Sequence, residues 1–259
     1  MDRDRLQTYL DTFLPPQHHP RLLKSVKQFS FGQSNPTFLL EFDGEGFGGK
    51  RMVLRKAPEF KDKSKIPQGA HNVSREFHLQ RLLLTLPSRP VPVPEMIHLA
   101  TDGSGTAGLG WNSDFYLMDF VPGTVYQDPS LRNVVSRDMR FSIYRNAIVT
   151  LARLHSIPRS AVASVFKGAT GKSTDVLERT MVNMERVIRR QEAASLDIPR
   201  IHGLSYVLTQ LRAILPNSDN NDSSLSSTCI IHGDYKLDNL VNTDNTYSFI
   251  HSFEGITFD

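Results

Sequence analysis

The chain has 259 residues, 39% of them hydrophobic and 22% charged, with a formal net charge of +3. The cationic excess is small and is not gathered into a Lys/Arg run, which argues against a nucleic-acid partner. A single cysteine, Cys229, excludes an intrachain disulfide and a Cys-rich metal site, and no apolar run reaches membrane-spanning length.

The opening Met1-Asp2-Arg3-Asp4-Arg5 has no apolar core and reads as neither a secretory signal nor an organelle presequence. The expected compartment is the cytoplasm. Residues 5–14 predict a short amphipathic helix, with Leu6, Leu10, Phe13 and Leu14 at helical spacing and Pro15-Pro16 as its stop. Lys27 to Phe31 alternates as a strand, Gly32-Gln33-Ser34-Asn35-Pro36 breaks it, and Thr37 to Phe42 resumes it. That is a β-hairpin with a small polar tip, whose backbone amides can approach phosphate oxygens closely. One glycine without a Gly-x-Gly-x-x-Gly pattern is equally an ordinary hairpin tip.

Residues 43–50 are a glycine-rich turn, and Arg51 to Lys56 is the next strand, closing on the cations Arg55 and Lys56. A cation at such a strand end can serve the phosphates of a nucleotide; a solvated strand end has the same composition. Residues 73–83 predict a helix carrying Glu76 in its first turns, within reach of that cation. An early Glu also simply favours the helix dipole. Pro87 to Pro94 reads as a rigid loop and Met96 to Thr101 as a short strand. Ser113 to Val121 (SDFYLMDFV) is apolar and ends at Pro122-Gly123. It reads either as an edge strand or as a crossing between lobes, where backbone groups of Met118 to Phe120 would meet a purine edge. Helical patterns dominate afterwards, over residues 140–155, 174–190 and 198–215, before the polar stretch 216–227.

The most informative stretch follows: Ile230-Ile231-His232-Gly233-Asp234-Tyr235-Lys236-Leu237-Asp238-Asn239-Leu240-Val241. Two apolar runs predict strands flanking a loop that holds carboxylates, an amide, a histidine and a lysine. His-Gly-Asp followed by Asn repeats the spacing of the protein-kinase catalytic loop, in which the Asp receives the proton of the attacking hydroxyl and the Asn binds Mg²⁺. Asp, Gly and Asn are also plain turn formers; the full match between two apolar runs is what favours chemistry.

Taken in order, Gly32 to Phe38, Val53-Leu54-Arg55-Lys56, Arg75-Glu76-Phe77, Phe115 to Asp119, Leu151 to His155 and His232 to Asn239 resemble the aminoglycoside phosphotransferase/choline kinase superfamily. The resemblance is strongest to the branch forming the kinase domain of acyl-CoA dehydrogenase family members. It implies a two-lobed, protein-kinase-like α+β fold, with a small lobe over residues 1–121 and a large lobe over 122–259. It also implies ATP and Mg²⁺ as cofactors and a small-molecule hydroxyl, such as that of a hydroxyacyl-CoA, as acceptor, with no nucleic-acid or membrane partner. Under it Asp234 is the catalytic base and Asn239 a Mg²⁺ ligand. Arg55 is the phosphate-binding cation, Glu76 its partner, and Gly32, Gln33, Ser34 and Asn35 the phosphate-facing tip. Met118 and Phe120 lie at the purine.

One motif departs. The superfamily's Asp-Trp-Glu triplet, whose Asp is the main Mg²⁺ ligand, aligns with Ser252-Phe253-Glu254. A hydroxyl is a poor substitute for a carboxylate on a hard cation. The expectation is that residues from about 242 form a truncated ending. The alternative to a working kinase is therefore a nucleotide-binding protein without turnover.

Overall fold

A computed structural model of the chain describes residues 2–14, 22–30, 35–44, 50–59, 73–101, 109–111, 113–134, 136–162, 182, 184–186, 188–189, 203–214, 230, 232, 234–243 and 246–249. Its first helix, α1 (Arg3–Phe13), starts at Asp2, whose carboxylate accepts from the amides of Asp4 and Arg5. That satisfies N–H groups the first turn leaves open. The helix stops at Leu14, which is extended ahead of Pro15, as steric conflict with the proline ring requires.

Five antiparallel strands follow: β1 (Leu23–Gln28), β2 (Thr37–Phe42), β3 (Arg51–Lys56), β4 (Met96–Ala100) and β5 (Phe115–Asp119). Their order in the sheet is β1-β2-β3-β5-β4. Between β3 and β4 the chain makes helix α2 (Val73–Thr85). Side chains alternate across the sheet. Met52 and Leu54 of β3, with Phe115 and Leu117 of β5, join the Leu6, Tyr9 and Leu10 face of α1. Val53, Tyr116 and Met118 point the other way, onto Val73 and Phe77 of α2. Each fully buried Leu contributes about 1.5–3 kcal/mol of apolar burial, so the sheet is held from both sides.

The second lobe is mainly helical. Helix α3 (Arg137–His155) is capped by Ser136, whose hydroxyl accepts from the Met139 amide. Its buried Ile143, Ala147 and Leu154 share one core with Leu237 and Leu240, and with Leu79 and Leu83 of α2. Thus α2 belongs to both cores and links the sheet to the helical lobe. A one-turn helix (Arg159–Val162) and the helix Leu204–Ile214 complete the described helical part, and the hairpin β6 (Leu240–Thr243) and β7 (Thr246–Phe249) closes it.

Several expectations shift in detail. The first strand runs over Leu23–Gln28 rather than residues 27–31, because its ladder partner β2 ends opposite it: Gln28 pairs with Phe38 and Leu23 with Phe42. The expected strand at Ile230-Ile231 is not among the described strands; Ile230 is a fully buried bridge residue. Most of the helix expected over 174–190 lies outside the described residues.

Candidate active site

Between the lobes lies a cavity of about 360 Å³. Phe29, Thr37 and Val53 line it from the sheet, Pro94, Asp119, Phe120 and Val121 from the strand ends, and Gly123, Thr124, Val125 and Val241 from the crossing and from β6. The crossing is pinned: Thr124 N–H donates to the Asn242 carbonyl at 2.9 Å, and Asn242 N–H returns a bond to the Thr124 carbonyl at 2.8 Å. Gly123 is there because β6 passes too close for a side chain. A Cβ on it would stand 2.3 Å from Val241 Cγ1 and 2.4 Å from the Asn242 carbonyl oxygen.

Met118, expected at the purine through its backbone, pairs with Val53 in the ladder, and its side chain is wholly buried against α2 and is not among those that line the cavity. Phe120 does line it, and the Arg51 guanidinium sits over its ring at 4.1 Å. Its amide is engaged elsewhere, donating to the Arg51 carbonyl at 3.3 Å. Backbone groups alternate between the two edges of a strand. Those of Asp119 therefore turn away from β3, its N–H reaching the Glu95 carbonyl at 2.9 Å.

Behind Thr37, to which Arg55 donates, the expected pairing of strand-end cation and helix carboxylate is present. Arg55 Nε donates to Glu76 Oε2 at 2.9 Å, with both side chains 2% exposed. Strand alternation puts Lys56 on the opposite face, where its ammonium caps the Trp111 ring at 4.7 Å and pairs with Glu59. Arg55, not Lys56, is therefore the cation on the α2 side of the sheet. Asn35 is fully buried and donates through Nδ2 to Glu76 Oε1 at 3.2 Å. Gly32, Gln33 and Ser34 lie outside the described residues, as do Ser252 and Glu254. Tyr116 donates to Glu76 Oε2 at 3.1 Å. Burial, then the neighbouring Glu76 charge, push its hydroxyl well above the ordinary phenol range, so it remains a donor.

Ahead of β6, whose Val241 lines the cavity, the loop of residues 232–239 is anchored at both ends. Tyr235 donates its hydroxyl to the Ala147 carbonyl of α3, and burial keeps that hydroxyl protonated by pushing its pKa up. Asp234 N–H donates to Nδ1 of the buried His232 at 3.3 Å. Asn239 closes the loop, its Nδ2 donating to the Asp234 carbonyl and to Asp234 Oδ2, each at 2.8 Å. Lys236 Nζ stands 3.5 Å from the same Oδ2 and 3.4 Å from Asp238 Oδ2. Partial burial alone would lower the Lys236 pKa, but the Asp234 and Asp238 carboxylates outweigh it and hold the ammonium above its ordinary value. Both side-chain contacts of Asp234 fall on Oδ2, so among the described residues Oδ1 is left as an acceptor. Sequence reasoning gave Lys236 no role, although a cation two positions after a loop carboxylate was visible. Gly123 and Val241 were missed for another reason, since only their close approach marks them.

A small antiparallel sheet flanked by two helices, joined through a pinned crossing to a helical lobe, with a carboxylate–amide loop ahead of β6, defines a kinase-like phosphotransferase fold. A family model described as the phosphotransferase enzyme family matches residues 25–250, and the chain belongs to that family. It is 36% identical over 220 residues to the probable acyl-CoA dehydrogenase IBR3 of Arabidopsis thaliana, covering 83% of this chain and 24% of that protein. To acyl-CoA dehydrogenase family member 11 of Gallus gallus it is 34% identical over 242 residues, covering 93% and 27%. The chain thus spans about a quarter of the length of these curated relatives. A putative aminoglycoside phosphotransferase from Ralstonia eutropha superposes with a TM-score of 0.68 at 25% identity, over 99% of this chain and 66% of that one. The streptomycin-ATP-APH(2")-IIa ternary complex gives 0.60 at 17% identity, over 100% and 72%. Among the described residues no helix is long and apolar enough to cross a membrane.

Proposed function

We propose that this chain binds ATP in the cleft and transfers its γ-phosphoryl group to the hydroxyl of a small molecule. The observation that carries the reading is the Asp234–Asn239 pair on the loop that leads into β6, whose Val241 lines the cavity, together with the Arg55–Glu76 pair, which is bonded to the cavity-lining Thr37. The cavity walls are apolar, as a purine ring needs, with Val53 above the ring and Val241 below it. The Asp119 carbonyl and the Val121 amide face the purine edge, in place of the Met118 and Phe120 backbone groups. Arg55 and the hairpin tip, Gly32 to Ser34, take the phosphates, with Asn35 buried behind them.

In the transfer itself, the acceptor oxygen bonds to the γ-phosphorus and the bond from phosphorus to the β,γ-bridging oxygen breaks, leaving ADP. Asp234 orients the acceptor and takes its proton on Oδ1, while Asn239 and Lys236 hold Oδ2 still. Most of the catalysis in such reactions is positioning and charge neutralisation. Lys236 supplies a cation beside the transferring group. The donor set suits Mg²⁺: with its Nδ2 committed to Asp234, Asn239 presents an amide oxygen, a hard ligand. Bound there, Mg²⁺ would offset the phosphate charge.

Homology to acyl-CoA dehydrogenase family members favours a hydroxyacyl thioester as acceptor. Ser252, at the position of the superfamily's metal-binding Asp, favours the second reading, nucleotide binding without turnover. Melting curves with and without Mg·ATP test binding: at a hundredfold excess over Kd the folded state gains about 2.7 kcal/mol. Phosphate transfer to a panel of hydroxyacyl-CoA and aminoalcohol acceptors separates the two readings. A stabilised protein that phosphorylates none of them is a binder only; one that gains no stability overturns both.

A further inference from the structure

The buried polar groups between the sheet and α2 form a closed circuit that an ion pair alone does not require. Glu76 Oε2 accepts from Arg55 Nε at 2.9 Å, and a terminal nitrogen of Arg55 donates to Thr37 Oγ1 at 3.2 Å. The Thr37 hydroxyl donates to the Asn35 carbonyl at 3.0 Å. Asn35 Nδ2 then returns to Glu76 Oε1 at 3.2 Å. Tyr116 adds a second donor to Oε2 at 3.1 Å, backed by Gln80. None of these six side chains is more than 2% exposed.

The circuit joins three separately travelling pieces of chain: the entry to β2, the end of β3, and α2. It also borders the cleft, because Thr37 lines the cavity. A core selected for stability alone would not leave carbonyl oxygens stranded, yet among the described residues Asn35 Oδ1 and Gln80 Oε1 are buried with no hydrogen-bond partner. We infer that Thr37, Asn35 and Tyr116 are positioning residues for phosphate binding. They lock the Arg55 guanidinium, the root of the β1–β2 hairpin and α2 into one unit that discriminates a triphosphate from a bare nucleoside. Asn35 acts from inside this ring and not as a direct phosphate contact. The inference rests on the ATP reading given above.

Thr37→Val removes the hydroxyl and keeps the shape, whereas Thr37→Ser keeps the hydroxyl. Calorimetric titration of each variant with Mg·ATP and with adenosine is the test. Thr37→Val should weaken Mg·ATP by about tenfold, one lost hydrogen bond at ~1.4 kcal/mol per decade, and leave adenosine unchanged; Thr37→Ser should restore the difference. Equal weakening of both ligands, unchanged Mg·ATP binding, or no rescue by serine overturns the proposal. Should Thr37→Val not fold, Tyr116→Phe decides on the same ratio of the two affinities. The unsubstituted protein judges the underlying reading separately, since absence of any Mg·ATP binding there removes the nucleotide itself.

Discussion

Replacing Glu76 by glutamine isolates the charge at the centre of the buried polar circuit between the sheet and α2. Its carboxylate accepts from Arg55, Tyr116 and Asn35, and glutamine keeps its size while removing the charge. The Arg55 guanidinium, 2% exposed, then loses the carboxylate that faces its Nε. Breaking one side of a buried pair costs about 3–5 kcal/mol, because the remaining charge has lost both water and partner. For a chain of this length each kcal/mol lowers Tm by roughly 2–4 °C, so the expected fall is on the order of 10 °C. Circular-dichroism melts of Glu76→Gln measure it. An Arg55→Met/Glu76→Leu double variant, which buries no unpaired charge, should melt above Glu76→Gln although Tyr116 and Asn35 lose an acceptor. A Glu76→Gln melting curve that overlays the parent would refute the reasoning, since no buried charge could then have been stranded.

Further outcomes follow from other parts of the molecule. Gly123→Ala forces a Cβ into the Asn242 carbonyl and Val241; with both held by the Thr124 bridge, overpacking should cost about 1–3 kcal/mol and weaken adenosine binding, read by melts and titration. Asp234→Asn should leave Mg·ATP binding nearly intact but lower turnover by about 10²–10⁴-fold; a variant as active as the parent would remove Asp234 from the chemistry. Burial holds His98 below its ordinary pKa of 6.5, and its Nε2 shares a hydrogen bond with the Tyr9 hydroxyl at 3.0 Å. The folded chain then resists the proton that the unfolded chain accepts. The stability tied to His98 is full above pH 6.5 and is lost as pH falls through the lower folded value. His98→Gln should flatten Tm between about pH 7 and 5; an unchanged slope would assign the titration to another group.

Much of this molecule is local, and local patterns are legible. Helix α1 ends where two prolines forbid it to continue, β3 and β5 carry apolar residues in an unbroken run because both their faces are covered, and the spacing of Asp234 and Asn239 is a property of a loop short enough to be read in line. What sequence alone did not determine is which groups meet. Whether Arg55 or Lys56 met Glu76 was decided by the side of the sheet that α2 covers, since strand alternation sends neighbours to opposite faces. That the Met118 side chain is wholly buried against α2 follows from its ladder register with Val53, and register is a relation between two strands. Gly123 gained its meaning only when β6, far along the chain, was brought against it. Thr37, Asn35 and Tyr116 were unremarkable as letters and became one circuit only when three elements packed around a single carboxylate. Short-range sterics and periodicity act along the chain, whereas burial, pairing and close approach act between pieces of it, and those exist only in the folded state.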